Sequence, residues 1–220
     1  VGMSARYTFD LGVYLVTDTA LCGERGVERT VREAVAGGAT LVQLREKHLG
    51  TRDFVDRARA LMAAIDGTDV RLLINDRVDV ALACGAHGVH VGQSDMRVED
   101  VRRLVGPRAI IGLSVETLAD VRAAEALDVD YYGVSPVFAT PTKTDTAAPW
   151  GLEGLRGLKA QTQRPLVGIG GIDAANAADV VTSGADGVAV VSAICAAPSP
   201  RGAAAELAVT VAQAKASRRG

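Results

Sequence analysis

Chemistry-bearing residues stand at the ends of apolar runs in this sequence. The stretch VQLREKH places Gln43, Arg45 and Lys47 at alternate positions, which in extended backbone point to one side. Two cations and an amide there suit a multiply charged anion. A guanidinium can take two phosphate oxygens at once, and an ammonium adds a compact charge. Glu46 points elsewhere and reads as the partner of an Arg or Lys; the plainer alternative for the stretch is a solvated charged loop. Further on, IND supplies Asn75 and Asp76, and VGQSD supplies Gln93 and Asp95. Two carboxylates beside a basic cluster point to Mg2+, a hard cation that takes a few carboxylates together with substrate phosphate oxygens. Each carboxylate also has a plainer use, as the cap of the helix pattern that follows it. GLSVET brings Ser114. No G-x-S-x-G surrounds it, so it reads as a hydrogen-bond donor to phosphate, not as an activated nucleophile.

Two further stretches offer donors. VSPVFATPTKTD carries Thr140, Thr142 and Lys143, with Pro141 stiffening the turn. Such a loop can hold phosphates and close over a substrate to exclude water. GIGGI and VVSAI supply Gly171, Val191 and Ser192, whose backbone N–H groups could grip a phosphate at a short helix N-terminus; Gly170-Gly171 lets backbone come close. His87 and His90 show no metal-ligand spacing with a Cys or a third His and read as structural or peripheral. Trp150, in a Pro-containing loop, reads as lid or surface.

These residues need elements to position them. Eight short apolar runs read as strands: 13–17, 41–44, 72–74, 88–91, 109–113, 131–134, 166–169 and 187–190. They are β-branched and continuously apolar, as strands buried on both faces are. Helix-period segments alternate with them. VERTVREAVAGG repeats Val27, Val31 and Val35 and ends on glycine. TRDFVDRARALMAAI opens on Thr51 as cap and puts Phe54, Ala58, Leu61 and Ile65 on one face. The last long helix is expected over Ala203 to Ser217. GGATLVQL, GAHGVHV and GADGVAV form a weak internal repeat of helix-ending Gly, tight turn and strand. Eight strand-then-helix units with short connections predict an α/β protein, a single-domain (β/α)8 TIM barrel over residues 1–220. An open doubly wound sheet is the alternative, but the first strand-to-helix turn, VTDTALCGERG, has no G-x-G-x-x-G. In a barrel, the C-terminal ends of the strands carry the active site, and all the residues above follow strands.

Composition narrows the partners. The 220 residues are 48% hydrophobic, and 24 Lys+Arg against 26 Asp+Glu leave a net charge of −2. That balance gives no reason to expect nucleic acid or an anionic membrane surface, so an anionic ligand must be held by a local cluster. Cys22, Cys84 and Cys195 are far apart in sequence and lack CxxC spacing, which argues against a disulfide framework or a structural zinc site; Cys84 and Cys195 read as core residues. No apolar run reaches membrane-spanning length. VGMSARYTFDLG has no signal pattern, so a cytoplasmic location is expected. A homo-oligomer is compatible with the sequence, which does not fix the number of copies. One charged site suited to a diphosphate beside Mg2+ and one suited to a monophosphate point to transfer of an activated group onto a phosphorylated acceptor.

In this respect the sequence resembles the thiamine-phosphate synthase family. The resemblance runs through QLREK, IND, GVHVGQSD, GLSVET, VSPVFATPTKTD, GIGGI and GADGVAVVSAI, nearly the whole chain. It implies that Gln43, Arg45, Lys47, Asn75, Ser114 and Lys143 bind an aminopyrimidine diphosphate. Asp76 and Asp95 would be Mg2+ ligands, and Thr140, Pro141, Thr142, Gly171, Val191 and Ser192 would hold a thiazole phosphate. Arg45, Lys47, Ser114 and Lys143 would carry the catalysis. The implied reaction joins hydroxymethylpyrimidine diphosphate to hydroxyethylthiazole phosphate, dissociatively and without a protein nucleophile. Ser135 departs from the family's more usual Gly before the Pro. The related thiazole tautomerases typically lack the T-x-T-K loop and carry a His near the position of Glu116. A barrel that only binds a phosphorylated ligand would not need the Asp76/Asp95 pair.

Overall fold

The structure is a computed structural model that describes residues 5–139 and 148–219. Thr140, Pro141, Thr142 and Lys143 lie outside the described residues. Eight strands run β1 (Val13–Val16), β2 (Leu41–Leu44), β3 (Arg71–Asn75), β4 (Gly88–Val91), β5 (Ile110–Val115), β6 (Tyr131–Val134), β7 (Leu166–Ile169) and β8 (Gly187–Val190). They close in sequence order into one parallel barrel, β8 pairing with β1 through Val13↔Val188 to Leu15↔Val190. The helices are α1 (Thr19–Cys22), α2 (Val27–Gly37), α3 (Thr51–Ala64), α4 (Val78–Cys84), α5 (Val98–Val105), α6 (Leu118–Ala124), α7 (Gly151–Lys159), α8 (Ala177–Thr182), α9 (Ser192–Cys195) and α10 (Pro200–Arg219).

The continuously apolar strands separate into two faces. Leu15, Val42, Leu44, Leu72, Ile74, Val89 and Val91 face outward against the helices, among them the buried stripe Phe54, Ala58 and Leu61 of α3. The intervening positions Tyr14, Val16, Leu41, Leu73, Ile110, Tyr131, Val167 and Ala189 fill the barrel. This period-two split is why strands that look uniformly apolar still have an inside. The N-terminal segment closes the barrel floor. Tyr7 and Phe9 pack under the inner core, and Arg108 lies over the Tyr7 ring, 4.7 Å from its centroid.

Some boundaries differ from the sequence reading for local reasons. Gly50, not Thr51, caps α3; the Thr51 hydroxyl accepts a hydrogen bond from Arg77 instead. β5 runs on to Val115, so Ser114 lies within a strand. Helix α10 starts early, at Pro200, because proline's fixed φ and missing N–H suit a first turn. Cys22 and Cys195 are buried, but Cys84 is only partly so, and all three are free thiols. No described helix is long and apolar enough to cross a membrane.

Candidate active site

The period-two inner face, continued towards the C-terminal strand ends, reaches the polar side chains. In β2, Leu41 is followed inward by Gln43; in β3, Leu73 by Asn75; in β5, Ile110 by Gly112 and then Ser114. Gln43 is buried, and its amide nitrogen donates to the Tyr14 hydroxyl at 2.7 Å. Ser114 Oγ lies 2.8 Å from His90 Nε2. The Gln93 side chain donates to the Ser114 carbonyl at 2.8 Å, bracing the end of β5.

Around this floor stands the charged ring. β2 ends at Leu44, so the strict alternation that would aim Arg45 and Lys47 together stops there. The two cations lean instead to opposite neighbours. Arg45 reaches Asp18, after β1, at 3.7 Å, and Lys47 pairs with Asp76, after β3, at 2.6 Å. Glu46 turns outward, largely buried, onto Arg57 of α3 at 2.6 Å. Neither acidic residue caps its helix. Arg77 and Arg97 stand at the N-caps of α4 and α5. At Asp76 the chain takes a left-handed conformation, φ 60, the one positive φ among the described non-glycine residues. Such turns are uncommon outside glycine and concentrate at functional sites. The Asp95 carboxylate folds back onto the Gly92 N–H at 2.7 Å. Burial raises the Asp95 carboxyl above its ordinary range, and the neighbouring Asp76 carboxylate raises it further, partly offset by the Gly92 N–H and, less, by Lys47. The structure thus brings Lys47, Asp76 and Asp95 together. Two carboxylates that repel one another form a donor pair fitted to a hard divalent cation. No group of three or more His, Cys, Asp or Glu side chains able to hold a metal occurs among the described residues. A hard cation held by two carboxylates leaves positions open to substrate oxygens and water.

The third part of the mouth is the β7–β8 corner. Gly170 and Gly171 both have positive φ, and their close approach is to the chain after β6. A Cβ on Gly170 would lie 2.8 Å from the Pro136 side chain, and one on Gly171 would lie 2.9 Å from the Ala139 carbonyl. Val137 and Phe138 donate to the carbonyls of Ile169 and Gly170, so the base of the loop that leads to Thr140 is fastened to β7. The bond between Ser135 and Pro136 is cis. Asn176 donates to the Gly171 carbonyl at 2.8 Å. Val191 and Ser192 follow β8 at the start of α9.

Two residues, His90 and Trp150, differ in role from the sequence reading, while His87 keeps the structural role read for it. His90 is not peripheral: it points inward from β4, 8% exposed, between Tyr131 and Ser114. His87 is structural, its Nδ1 accepting the Leu72 N–H. Trp150 packs against the outer core at the N-cap of α7 and is neither lid nor free surface. Sequence reasoning passed over Asp18, Tyr14 and Tyr131. The available signal was phase: His90 in GVHV, Tyr14 in VYLV and the first tyrosine of YYGV, Tyr131, lie on the inner-facing alternation of their strands.

A closed (β/α)8 barrel that gathers cations, carboxylates and hydroxyls at the C-terminal ends of its strands has the make-up of an α/β-barrel enzyme. Residues 13–194 match the family model described as thiamine monophosphate synthase, and the chain belongs to that family. It is 59% identical over 190 residues to a thiamine-phosphate synthase of Albidiferax ferrireducens, covering 86% of this chain and 87% of that protein. It is 48% identical to one from Chloroflexus aurantiacus over 97% of this chain and 100% of the relative. A solved thiamine phosphate pyrophosphorylase from Pyrococcus furiosus superposes with a TM-score of 0.85 at 39% identity, covering 93% of this chain and 97% of that one. Membership makes this protein a transferase of thiamine biosynthesis.

Proposed function

We propose that the enzyme joins hydroxymethylpyrimidine diphosphate to hydroxyethylthiazole phosphate, releasing thiamine phosphate and pyrophosphate, with Mg2+ as cofactor and a dissociative course. The observation that carries this reading is the cluster of Lys47, Asp76 and Asp95 at the ends of β2, β3 and β4. Beside Arg45 it forms a place for a diphosphate. In this reading the bond from the pyrimidine's methylene carbon to the diphosphate oxygen breaks first, both electrons leaving with oxygen. The electron-rich pyrimidine carries the resulting cation, and the thiazole nitrogen's lone pair closes the new C–N bond. No proton has to move in either step, so the pairing of Ser114 with His90 is not asked to make Ser114 a nucleophile, in keeping with the absence of a G-x-S-x-G turn around it. Arg45, Lys47 and Lys143 hold the departing diphosphate, donors placed where negative charge grows. Held by Asp76 and Asp95, Mg2+ would supply Lewis-acid stabilisation of that same charge. Gln43, Asn75 and Ser114 fix the pyrimidine diphosphate. Thr140, Pro141, Thr142 and the Gly171, Val191 and Ser192 corner hold the thiazole phosphate. The partners are small phosphorylated molecules, and a reducing cytoplasm suits the three free thiols.

The test is a mixing assay. Protein given both substrates and Mg2+ should release thiamine phosphate and pyrophosphate in equal amounts, and EDTA should abolish both. Absence of pyrophosphate, with the thiazole phosphate merely bound or isomerised, would overturn the reading.

A further inference from the structure

Beneath the charged ring runs a continuous chain of buried hydrogen bonds. Gln43 Nε2 meets Tyr14 Oη at 2.7 Å, Tyr14 Oη meets Tyr131 Oη at 2.8 Å, Tyr131 Oη meets His90 Nδ1 at 2.8 Å, and His90 Nε2 meets Ser114 Oγ at 2.8 Å. The five side chains come from β2, β1, β6, β4 and β5, so the chain crosses the barrel interior. Both tyrosines are fully buried. Burial pushes their hydroxyls well above the ordinary value, so each stays neutral with a single hydrogen to give.

Space has been cleared for this chain. A Cβ on Gly112 would lie 2.2 Å from the Tyr131 hydroxyl and 2.5 Å from His90 Nδ1, and one on Gly133 would lie 3.0 Å from His90 Cε1. The two glycines form the notch in which the tyrosine and the imidazole meet.

One hydrogen per hydroxyl makes the chain directional. Gln43 gives an N–H to Tyr14, so the Tyr14 hydrogen goes to Tyr131. The Tyr131 hydrogen then goes to Nδ1, which must be an acceptor, and His90 carries its proton on Nε2 and gives it to Ser114. Ser114 Oγ, already accepting, has its own hydrogen left for a ligand in the mouth. Were the chain reversed, Ser114 would spend its hydrogen on His90 and present only lone pairs. We infer that Tyr131 and Tyr14 are positioning residues, which fix the tautomer of His90 and thereby make Ser114 a donor towards the substrate. The substrate half of this inference rests on the function proposed above; the tautomer half does not.

Nitrogen-15 NMR of the imidazoles of the full-length protein tests it. The chain has three histidines, and His87 is a built-in reference, because its Nδ1 accepts a backbone N–H. His90 signals are assigned by their loss in His90→Gln. In the wild type, without substrate, His90 should show an unprotonated Nδ1 and a protonated Nε2. Tyr131→Phe, which removes only the hydroxyl, should mix the two tautomers. It should also raise KM for the pyrimidine diphosphate by about 10-fold with a smaller change in kcat. Tyr14→Phe, one link further back, should shift both readouts the same way by less. A wild-type His90 protonated on Nδ1 overturns the inference, as does a Tyr131→Phe protein whose tautomer matches the wild type. Failure to turn over these substrates, with the Nε2–H tautomer present and lost in Tyr131→Phe, would count against the proposed function and leave the tautomer assignment standing.

Discussion

Asp95 shows most clearly what the mouth costs the fold. Burial and the Asp76 carboxylate raise its carboxyl, so folding favours the protonated form. The stability this adds at acid pH is lost as pH climbs through the raised value, and at neutral pH the ionised group works against the fold. Asp95→Asn keeps an oxygen for the Gly92 N–H and removes the charge. Without divalent cation at neutral pH it should raise the unfolding free energy, read from urea denaturation, by about a few tenths of a kcal/mol, a small gain because the mouth is open to solvent. The Mg2+ concentration for half-maximal turnover should rise by at least ~10-fold. Denaturation and Mg2+ titrations of the two proteins check both halves. At this scale the charged residues were legible, since they stand immediately after apolar runs. The directions of Arg45 and Lys47 were not, because alternation holds only within a strand and β2 ends at Leu44. His90 was missed for a different reason. Its role depends on a tyrosine 41 residues away in sequence, a pairing that no local pattern contains.

The strands and helices divide labour between the two ends of the barrel. At the end opposite the mouth, Arg102 of α5 donates to the carbonyls of Gly106, Ala109 and Asp128 and to Asp130 Oδ2. Asp130, whose side chain is only 7% exposed, also takes Arg6 at 2.7 Å and the Ile111 N–H at 2.7 Å. One guanidinium therefore closes the turn from α5 into β5 and ties it to the start of β6. Arg102→Ala should cost about 1–3 kcal/mol, because it strips a partner from two part-buried carbonyls and one of the two cations from the buried Asp130 carboxylate. It should leave kcat and KM of the folded enzyme unchanged, since this face holds no site residue. Urea unfolding and steady-state kinetics on the same preparation separate the two effects. Strand positions were readable to within about two residues because parallel strands covered on both faces are unbroken apolar runs. Which alternate positions looked inward was not readable from those runs, since both faces are apolar until a Gln, His or Ser breaks the pattern near the strand's end.

The barrel closes only when its last unit packs beside its first. β8 pairs with β1, and outside that seam α10 lies along α2. The contact is backbone-close at Gly37, where a Cβ would fall 2.2 Å from the Arg201 carbonyl. Arg218, at the far end of α10, donates to the carbonyls of Val181 and Ala185 and pairs with Asp186 ahead of β8. The long helix is thus pinned across the seam at two separated points. Gly37→Ala adds only one methyl group, but backbone on the other side has to move to admit it, which typically costs 1–3 kcal/mol. The strain falls on the seam, so its effect should be uneven. Hydrogen exchange should quicken together in α2, α10, β1 and β8, while β3 to β5 keep wild-type protection until global unfolding. Uniform acceleration across all eight strands would mean that the barrel opens as one unit and that the α2–α10 contact is no separate latch. Unchanged exchange would mean that the helices slide apart at no cost.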